Sequence, residues 1–400
     1  MKSKKILVIN AGSSSMKWSL YTKDKLEIIA SGISERIGIN NSFLTMDFDS
    51  KKIKKEIDLK DHLKSVEQTV EMWQENQVIS DLNEIEIVGF RVVHGGQFFT
   101  DTTELKEVEI KKIDELSKFA PLHNPGALLA INAIKKVIPN AKLSATFDTA
   151  FHTSIPEVNA IYPIKKELSE KYGIRKYGFH GSSHKFITQK LSEILNKKIV
   201  NLVNLHIGSG ASLCAIKNSK SIDTSMGMTP LAGIMMGTRS GDIDPSIHEY
   251  IMEQANISIK EFTNILNKES GLLGVSKIGS DLRDVIAKYQ ENDKDAILAL
   301  ELYSQKIADY LINYINKVGK EIDALVFTAG VGENSSFMRE MIINKINILD
   351  LKLDTKLNNT SPKDIKESIL ISSSDSSIPI YVIRTNEELM IAEDAKKLFN

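Results

Sequence analysis

The chain has 400 residues, of which 42% are apolar and 26% charged, an ordinary balance for a globular protein with sizeable cores. Its 51 lysines and arginines against 52 aspartates and glutamates leave a net charge of −1, so nothing draws it non-specifically to nucleic acid or an anionic membrane. A single cysteine, Cys214, excludes a disulfide framework, a cysteine zinc site and an iron–sulfur cluster, and fits a reducing compartment.

Lys2, Lys4 and Lys5 precede the apolar run Ile6–Ile9, which is too short for a signal peptide, and no run approaches the ~18 apolar residues of a membrane span. The expected location is the cytoplasm. Residues 5–9 read as a buried strand, followed by the turn Asn10-Ala11-Gly12-Ser13-Ser14-Ser15 and a second strand over 17–21. Residues 199–205 repeat this design, leading through His206-Ile207-Gly208-Ser209-Gly210 into a strand over 213–216. Gly12 and Gly208 thus hold equivalent places, which suggests two related halves. A third strand, 324–327, meets the turn Thr328-Ala329-Gly330-Val331-Gly332-Glu333 and then a helical pattern.

Helix starts are expected at Asn124-Pro125, at Ser182/Ser183 with Phe186, Ile187, Leu191 and Ile194 on one face, at Asp244-Pro245, and at Thr385 through a T-x-x-E capping box with Glu388. Strands alternate with helices, so the class is α/β. The lysine- and asparagine-rich stretches 50–64 and 349–367 read as solvated surface.

A phosphate chain needs backbone N–H donors and close approach, and glycine–serine turns after strands supply both. Three such turns occur here. None fits the P-loop or the Rossmann pattern. Glu333 would bring a negative charge near a phosphate, so its turn suits the adenosine side better than a pyrophosphate cradle. Three loops, two of them related by the internal repeat, favour the duplicated architecture of actin, hexokinase and Hsp70, in which ATP lies in a cleft between two similar domains.

The arginines are Arg36, Arg91, Arg175, Arg239, Arg283, Arg339 and Arg384, seven against 44 lysines. In such a chain an arginine is expected where its fork geometry is needed. Arg91, Arg239 and Arg283 fall in candidate site loops. Six of the eight histidines (94, 123, 152, 180, 184, 206) lie in or beside loops that follow strands or precede helices. His180 and His184 have a spacing that can bind zinc, but no H-E-x-x-H occurs and only one thiol exists, so His184 reads as a capping or packing residue. Residues 223–245 form a long segment with four glycines and little periodicity, of the kind that is usually functional.

Together the segments FDTAFH (147–152), YGFHGSSH (177–184) and DTSMGMTPLAG…MGTRSGDIDP (223–245), flanked by VINAGSSS (8–15) and TNEE (385–388), resemble the acetate kinases of the acetate/propionate/butyrate kinase group over nearly the whole chain. The resemblance implies a two-domain α/β fold of the actin/hexokinase/Hsp70 type. One domain would be residues 1–150 with 385–400 and carry the acyl-substrate loops; the other, 151–384, would carry the nucleotide loops. It implies reversible transfer of phosphate from ATP to acetate. It also implies Mg²⁺, with Mn²⁺ as substitute, near Asn10 and Glu387. Nucleotide contacts would come from Lys17, His206, Ile207, Gly208, Ser209, Gly210, Asp281, Leu282, Arg283, Ala329, Gly330, Val331, Gly332 and Glu333. Arg91 would bind acetate, with Val93, Leu122, His123, Phe179 and Pro230 around it, and Asp148, His180 and Arg239 would complete the catalytic set. The family is usually a homodimer. Four positions depart from its pattern: Ser209 stands where asparagine is usual, Ala329 where glycine is, Phe90 where histidine is, and Lys277 where a small residue is.

The chemistry accords with these roles. A carboxylate is already ionised at pH 7, so no base is needed to make the nucleophile. The difficulty is to bring two anions together, so the site is expected to be locally positive, with arginines dominating. Asp148 fits an orienting role better than contact with the phosphoryl group. Propionate kinase is the near alternative. A non-enzymatic actin- or Hsp70-like nucleotide-binding protein is the distant one, disfavoured by the arginine and histidine loops.

Overall fold

A computed structural model describes residues 3–400, so Lys2 of the leader reading lies outside the described residues. The chain divides into two compact units, Met1–Thr153 with Asn386–Asn400, and Ser154–Thr385.

The first unit is built on an eight-stranded sheet. Its strands are β1 (Lys5–Ala11), β2 (Ser15–Thr22), β3 (Ile28–Glu35), β4 (Phe43–Phe48), β5 (Lys51–Glu56), β6 (Ile85–Val92), β7 (Thr103–Glu104) and β8 (Lys142–Phe147), in the order β5-β4-β3-β2-β1-β6-β8-β7. β1, β6 and β8 are parallel neighbours, and the strands outside them are antiparallel. The run at β1 is apolar without alternation because both of its faces are buried. Leu7 and Ile9 join the larger core with the helices His62–Glu75 and Asn124–Val137, while Ile6 and Val8 pack with Ile391, Ala392 and Ala395 of the last helix, Glu387–Phe399. Each fully buried aliphatic side chain contributes roughly 1.5–3 kcal/mol. That is how the C-terminal segment is fastened to the first unit. The lysine-rich stretch after residue 50, expected as solvated surface, forms the largely exposed strand β5. It is an edge strand, and its exposed lysines discourage further pairing.

The second unit carries a six-stranded sheet: β9 (Leu202–Ile207), β10 (Ala211–Lys217), β11 (Lys220–Thr224), β12 (Ala324–Thr328), β13 (Ser368–Leu370) and β14 (Ile380–Ile383), in the order β11-β10-β9-β12-β14-β13. β9, β12 and β14 are parallel, while β10, β11 and β13 are antiparallel to their neighbours. From the third antiparallel strand through the three parallel ones to an antiparallel edge, this is the path followed in the first unit from β3 to β7. The turns at Gly12 and Gly208 sit at the same step, between the first two strands of each repeat.

Helix starts differ in detail from the sequence reading. The helix Asn124–Val137 has His123 at its cap, because the Asn124 side chain is spent elsewhere: its Oδ1 accepts from His94 N and its Nδ2 donates to His94 O. At the last helix Asn386, not Thr385, is the cap, its side chain accepting from Leu389 N. Asp244 accepts from Ser246 N one step before the helix Ile247–Ala255. The helix Gly181–Leu195 starts at His180, and Ile194 is exposed rather than part of its buried face. Among the described residues no helix is long and apolar enough to cross a membrane.

Candidate functional site

In the first unit the candidate residues gather where the parallel strands end, the usual ligand edge of an α/β sheet. Asn10 of β1 lies in register with Arg91 of β6, and Arg91 with Thr146 of β8; Asp148 follows one residue after β8. Arg91 grips Asp148 through two parallel bonds, Nε to Oδ1 at 2.9 Å and Nη2 to Oδ2 at 2.7 Å. Asp148 is buried, and this fork–fork geometry is the strong form of an arginine–carboxylate pair. Arg91 Nη1 makes no hydrogen bond among the described residues and remains available as a donor.

Glu387 enters the cluster from the last helix, with Oε2 3.9 Å from Arg91 Nε. That oxygen is buried and has no hydrogen-bond partner among the described residues. Burial first, and then the neighbouring Asp148 and Glu388 carboxylates, push the Glu387 carboxyl above its ordinary range, with Arg91 and Lys17 pulling the other way. Burial alone would lower the charged state of Arg91, but the Asp148 and Glu387 carboxylates raise its pKa overall. Lys17, in β2, pairs with Glu388.

The cluster therefore sets two cations, Arg91 and Lys17, against three acidic groups, Asp148, Glu387 and Glu388. This departs from the expectation of a locally positive site. The orphaned Glu387 oxygen, with the amide of Asn10 on the neighbouring strand edge, suits a hard divalent cation that keeps most of its waters. Among the described residues no three His, Cys, Asp or Glu side chains are grouped as metal ligands.

The loop after Arg91 is held by burial. His94 sits under Phe119, ring centroids 5.2 Å apart, and burial pushes its pKa down to about 4, so it is a neutral packing residue. Of the acyl-pocket candidates in this unit, Val93 and His123 are half-buried and Leu122 is exposed; Phe179, buried, and Pro230, half-buried, belong to the second unit.

In the second unit the candidates meet around the β9–β10 turn. His180 holds the left-handed conformation at the start of its helix, φ +57°. Its ring stacks on His206, centroids 4.1 Å apart, and its Nδ1 lies 2.9 Å from Ser212 Oγ. A Cβ on Gly210 would stand 3.3 Å from Arg239 Nη1 and 3.9 Å from His180 Nε2, so both side chains face this residue. Arg239 donates from Nη1 to Pro230 O at 3.2 Å and lies against Met236 Sδ at 3.7 Å. It has no acidic partner among the described residues, and burial lowers its pKa.

Gly237 closes the other side of this turn: its N–H donates to Ser209 O, and a Cβ on it would lie 3.2 Å from Ser280 O and 3.3 Å from Ser209 O. The turn 208–210, the segment 237–239 and the loop before Asp281 are thereby brought together. Ala329 joins them, its Cβ 3.9 Å from where one on Gly208 would be. Gly330 is exposed with open space around it, Val331 is half-buried and Gly332 buried.

Two candidates behave differently from the sequence reading. Glu333 does not turn its charge outward. Its Oε1 accepts from Ala329 N at 2.8 Å, Thr385 N at 3.0 Å and Thr328 Oγ1 at 3.3 Å, tying the turn together. Arg283 is an exposed side chain folded back on Asp281, which also caps the helix Leu282–Gln290 and whose carboxyl is pushed down to about 2, above all by the hydrogen bond from Arg283. Leu282 is buried.

Sequence reasoning missed several supporting residues. Ser183 Oγ lies 2.8 Å from both His206 Nδ1 and Thr385 Oγ1, and Arg339 donates to Gly332 O at 2.9 Å and Glu333 O at 3.1 Å. The buried arginine in a lysine-rich chain was the available signal for the second. His184 is buried, with Nδ1 2.8 Å from Asn204 Nδ2 and Nε2 2.9 Å from Ser212 Oγ.

Comparison with known proteins accounts for this pattern. The model of the Acetokinase family matches residues 5–393. A protein of Mycoplasmopsis pulmonis named acetate kinase is 60% identical over 98% of this chain and 99% of its own. Another of that name, from Thermoanaerobacterium thermosaccharolyticum, is 46% identical over 98% of both chains. The crystal structure of Porphyromonas gingivalis acetate kinase superposes with a TM-score of 0.94 at 36% identity, covering all of both chains. A propionate kinase from Francisella tularensis gives 0.92 at 38% identity, over 98% of this chain and 99% of that one. The chain belongs to the acetokinase family.

Proposed function

We propose that this acetokinase-family enzyme transfers the γ-phosphoryl group of ATP directly and reversibly to acetate, giving acetyl phosphate and ADP. The observation that carries this reading is Arg239: a half-buried guanidinium without an acidic partner, set across Gly210 from His180 at a glycine turn. An unpaired charge in such a place calls for an anionic ligand, and an arginine on the phosphoryl oxygens is worth on the order of 10³–10⁵ in rate in comparable transfers.

The remaining groups fall into roles around it. The acetate carboxylate needs no deprotonation. Arg91, oriented by Asp148, offers its free Nη1 to that carboxylate. Asp148 gives both oxygens to Arg91, which supports an orienting role over that of a proton carrier. Val93, Leu122, His123, Phe179 and Pro230 are assigned to the acyl end, and Lys17 to the nucleotide phosphates. The turns at His206–Gly210, Asp281–Arg283 and Ala329–Glu333 are assigned to the nucleotide, with Glu333 acting as a clasp for its turn. Asn10 and Glu387 would hold Mg²⁺ or Mn²⁺, which would offset the negative charge of the nucleotide phosphates. His180 donates to the phosphoryl oxygens. Transfer is in line, without a phosphoenzyme.

The test is acetyl phosphate trapped as the hydroxamate by hydroxylamine. Absence of product with acetate, propionate and butyrate would sink the reading. Val93, larger than alanine, favours the two-carbon acid; one methylene shifts discrimination only ~10–200-fold, so the ratio of kcat/KM for acetate and propionate decides between the two acids. A cytoplasmic homodimer is proposed as the working form. Val158, Ile161, Ile164, Leu168 and Tyr172 leave an exposed apolar run on one segment, and a monomeric mass by light scattering would refute this.

A further inference from the structure

We propose that Asn204, His184 and Ser212 are positioning residues, a hydrogen-bonded relay that holds His180 with its single ring hydrogen on Nε2 and so makes it a fixed donor at the Gly210–Arg239 corner. The starting observation is that all three are polar side chains with no exposure at all, in the core of the second unit. Asn204 stands in the middle of β9, between Val203 and Leu205. Burying polar groups is unfavourable, and Asn204 is kept there although its Oδ1 makes no hydrogen bond among the described residues, so a chain of three marks a structural demand of another kind.

The direction of the hydrogens follows from the atoms. In the orientation of the structure Asn204 presents its amide nitrogen, which only donates, to His184 Nδ1 at 2.8 Å, while its Oδ1 is buried with no hydrogen-bond partner among the described residues. Nδ1 must then be the acceptor nitrogen of a neutral imidazole, and its hydrogen sits on Nε2. From there it is donated to Ser212 Oγ at 2.9 Å. With one lone pair so engaged, the serine hydroxyl turns its own hydrogen to His180 Nδ1, also at 2.9 Å. His180 Nδ1 accepts, and the His180 hydrogen is on Nε2. That nitrogen lies 3.9 Å, and Arg239 Nη1 3.3 Å, from the point where Gly210 lacks a Cβ. A His180 protonated on both nitrogens would force Ser212 to accept from both rings and strand its own hydrogen, since Oγ has no third partner among the described residues.

The proposal rests on the phosphotransfer reading only for what Nε2–H does; which nitrogen is protonated is a separate matter. The first measurement is a long-range ¹H–¹⁵N correlation on the full-length protein labelled with ¹⁵N-histidine, with His180 identified by comparison with His180→Gln. The expected result at pH 8 is Nε2–H for both His180 and His184. A ring hydrogen on Nδ1 of His180, or on both nitrogens, overturns the proposal whatever the substrate proves to be.

The second measurement is kinetic. Asn204→Asp is close to isosteric but only accepts, so it reverses each step and turns His180 Nε2 into an acceptor facing an anion. The expected loss in kcat is on the order of 10²–10³-fold, as for removal of one oxyanion donor, with KM for acetate within about three-fold. Adding Ser212→Ala disconnects the reversed relay, so the double variant should recover at least about ten-fold over Asn204→Asp. A double variant no faster than the single one, or an Asn204→Asp enzyme of ordinary kcat, overturns the proposal. If Asn204→Asp does not fold, the correlation spectrum of the unaltered protein decides.

Discussion

Arg91, in the first unit, gives two donors to a buried carboxylate and has a second carboxylate 3.9 Å away, whereas Arg239, in the second, meets a carbonyl and a thioether and shares the Gly210 corner with His180. The same side chain has been put to two uses. Where a guanidinium is already matched by an acid, its charge is largely spent inside the protein, and what remains is geometry: a rigid fork with one free edge. Where it is unmatched, the protein bears the desolvation of a charge in advance and recovers it when an anion binds. On the function proposed above, Arg91 would orient a carboxylate and Arg239 would neutralise charge that moves.

The sharpest way to break this comparison is Arg239→Ala. We expect kcat to fall on the order of 10³–10⁵-fold and thermal stability to hold or rise slightly, because no charged partner is orphaned, only the weak bond to Pro230 O is lost, and an unpaired half-buried charge is removed. Arg239→Ala with turnover near that of the parent enzyme would show that the unmatched arginine has another purpose. Arg91→Ala should behave oppositely in stability. It leaves Asp148 buried without its counter-ion, which destabilises by on the order of 3 kcal/mol, readable as a lower urea midpoint. The double variant Arg91→Met with Asp148→Asn should regain most of that stability while activity stays lost. If Arg91→Ala alone leaves the midpoint unchanged, the pair is not the internal match described here.

Glu387 supplies a third test, in pH. Its carboxyl titrates above the ordinary range in the folded chain, chiefly because burial disfavours the charge. The folded state therefore holds this proton more tightly than the unfolded one. The contribution is fully present below the unfolded pKa of about 4.3 and is lost as pH rises through the raised folded value. Glu387→Gln, which keeps the shape and drops the titration, should melt above the parent protein at pH 7 and close to it at pH 4. Added Mg²⁺ should raise the melting temperature of the parent protein and raise that of Glu387→Gln less. Equal melting of the two proteins at pH 7, or equal Mg²⁺ stabilisation, would remove Glu387 from the metal role.

These contrasts mark how far the sequence could be read. The α/β order and the repeated strand–turn–strand unit were legible because a strand buried on both faces leaves an unbroken apolar run, as at Ile6–Ile9. Lone arginines in a chain that otherwise uses lysine pointed to Arg91 and Arg239, but not to their opposite surroundings. Which carboxylate meets which guanidinium depends on strands distant in sequence: Asp148 follows β8, and Glu387 arrives from the far end of the chain. Glu333 was misjudged for the same reason. Its charge is consumed by Thr385 N, 52 residues away, and nothing local announces that. Capping was off by a residue or more wherever a better-placed side chain competed, as Asn386 does with Thr385.

The smallest effect expected comes from the turn at Ala329. Ala329 adopts φ +66°, the left-handed region in which a Cβ crowds the following carbonyl oxygen. Three hydrogen bonds to Glu333 Oε1 hold the turn in place, one of them from Ala329 N itself. The strain is carried by that clasp. Ala329→Gly removes the strain but adds freedom to the unfolded chain, so the net gain should be below about 1 kcal/mol. Affinity for ATP should change by less than about three-fold, since the backbone that faces the ligand is unaltered. Glu333→Gln in the same turn takes away the charge that gathers three donors. In the alanine background it should destabilise more than in the Ala329→Gly background, because only alanine needs the clasp to stay left-handed. Urea midpoints of the four proteins give the coupling directly. Independent, additive effects would show that the turn holds its shape without the clasp.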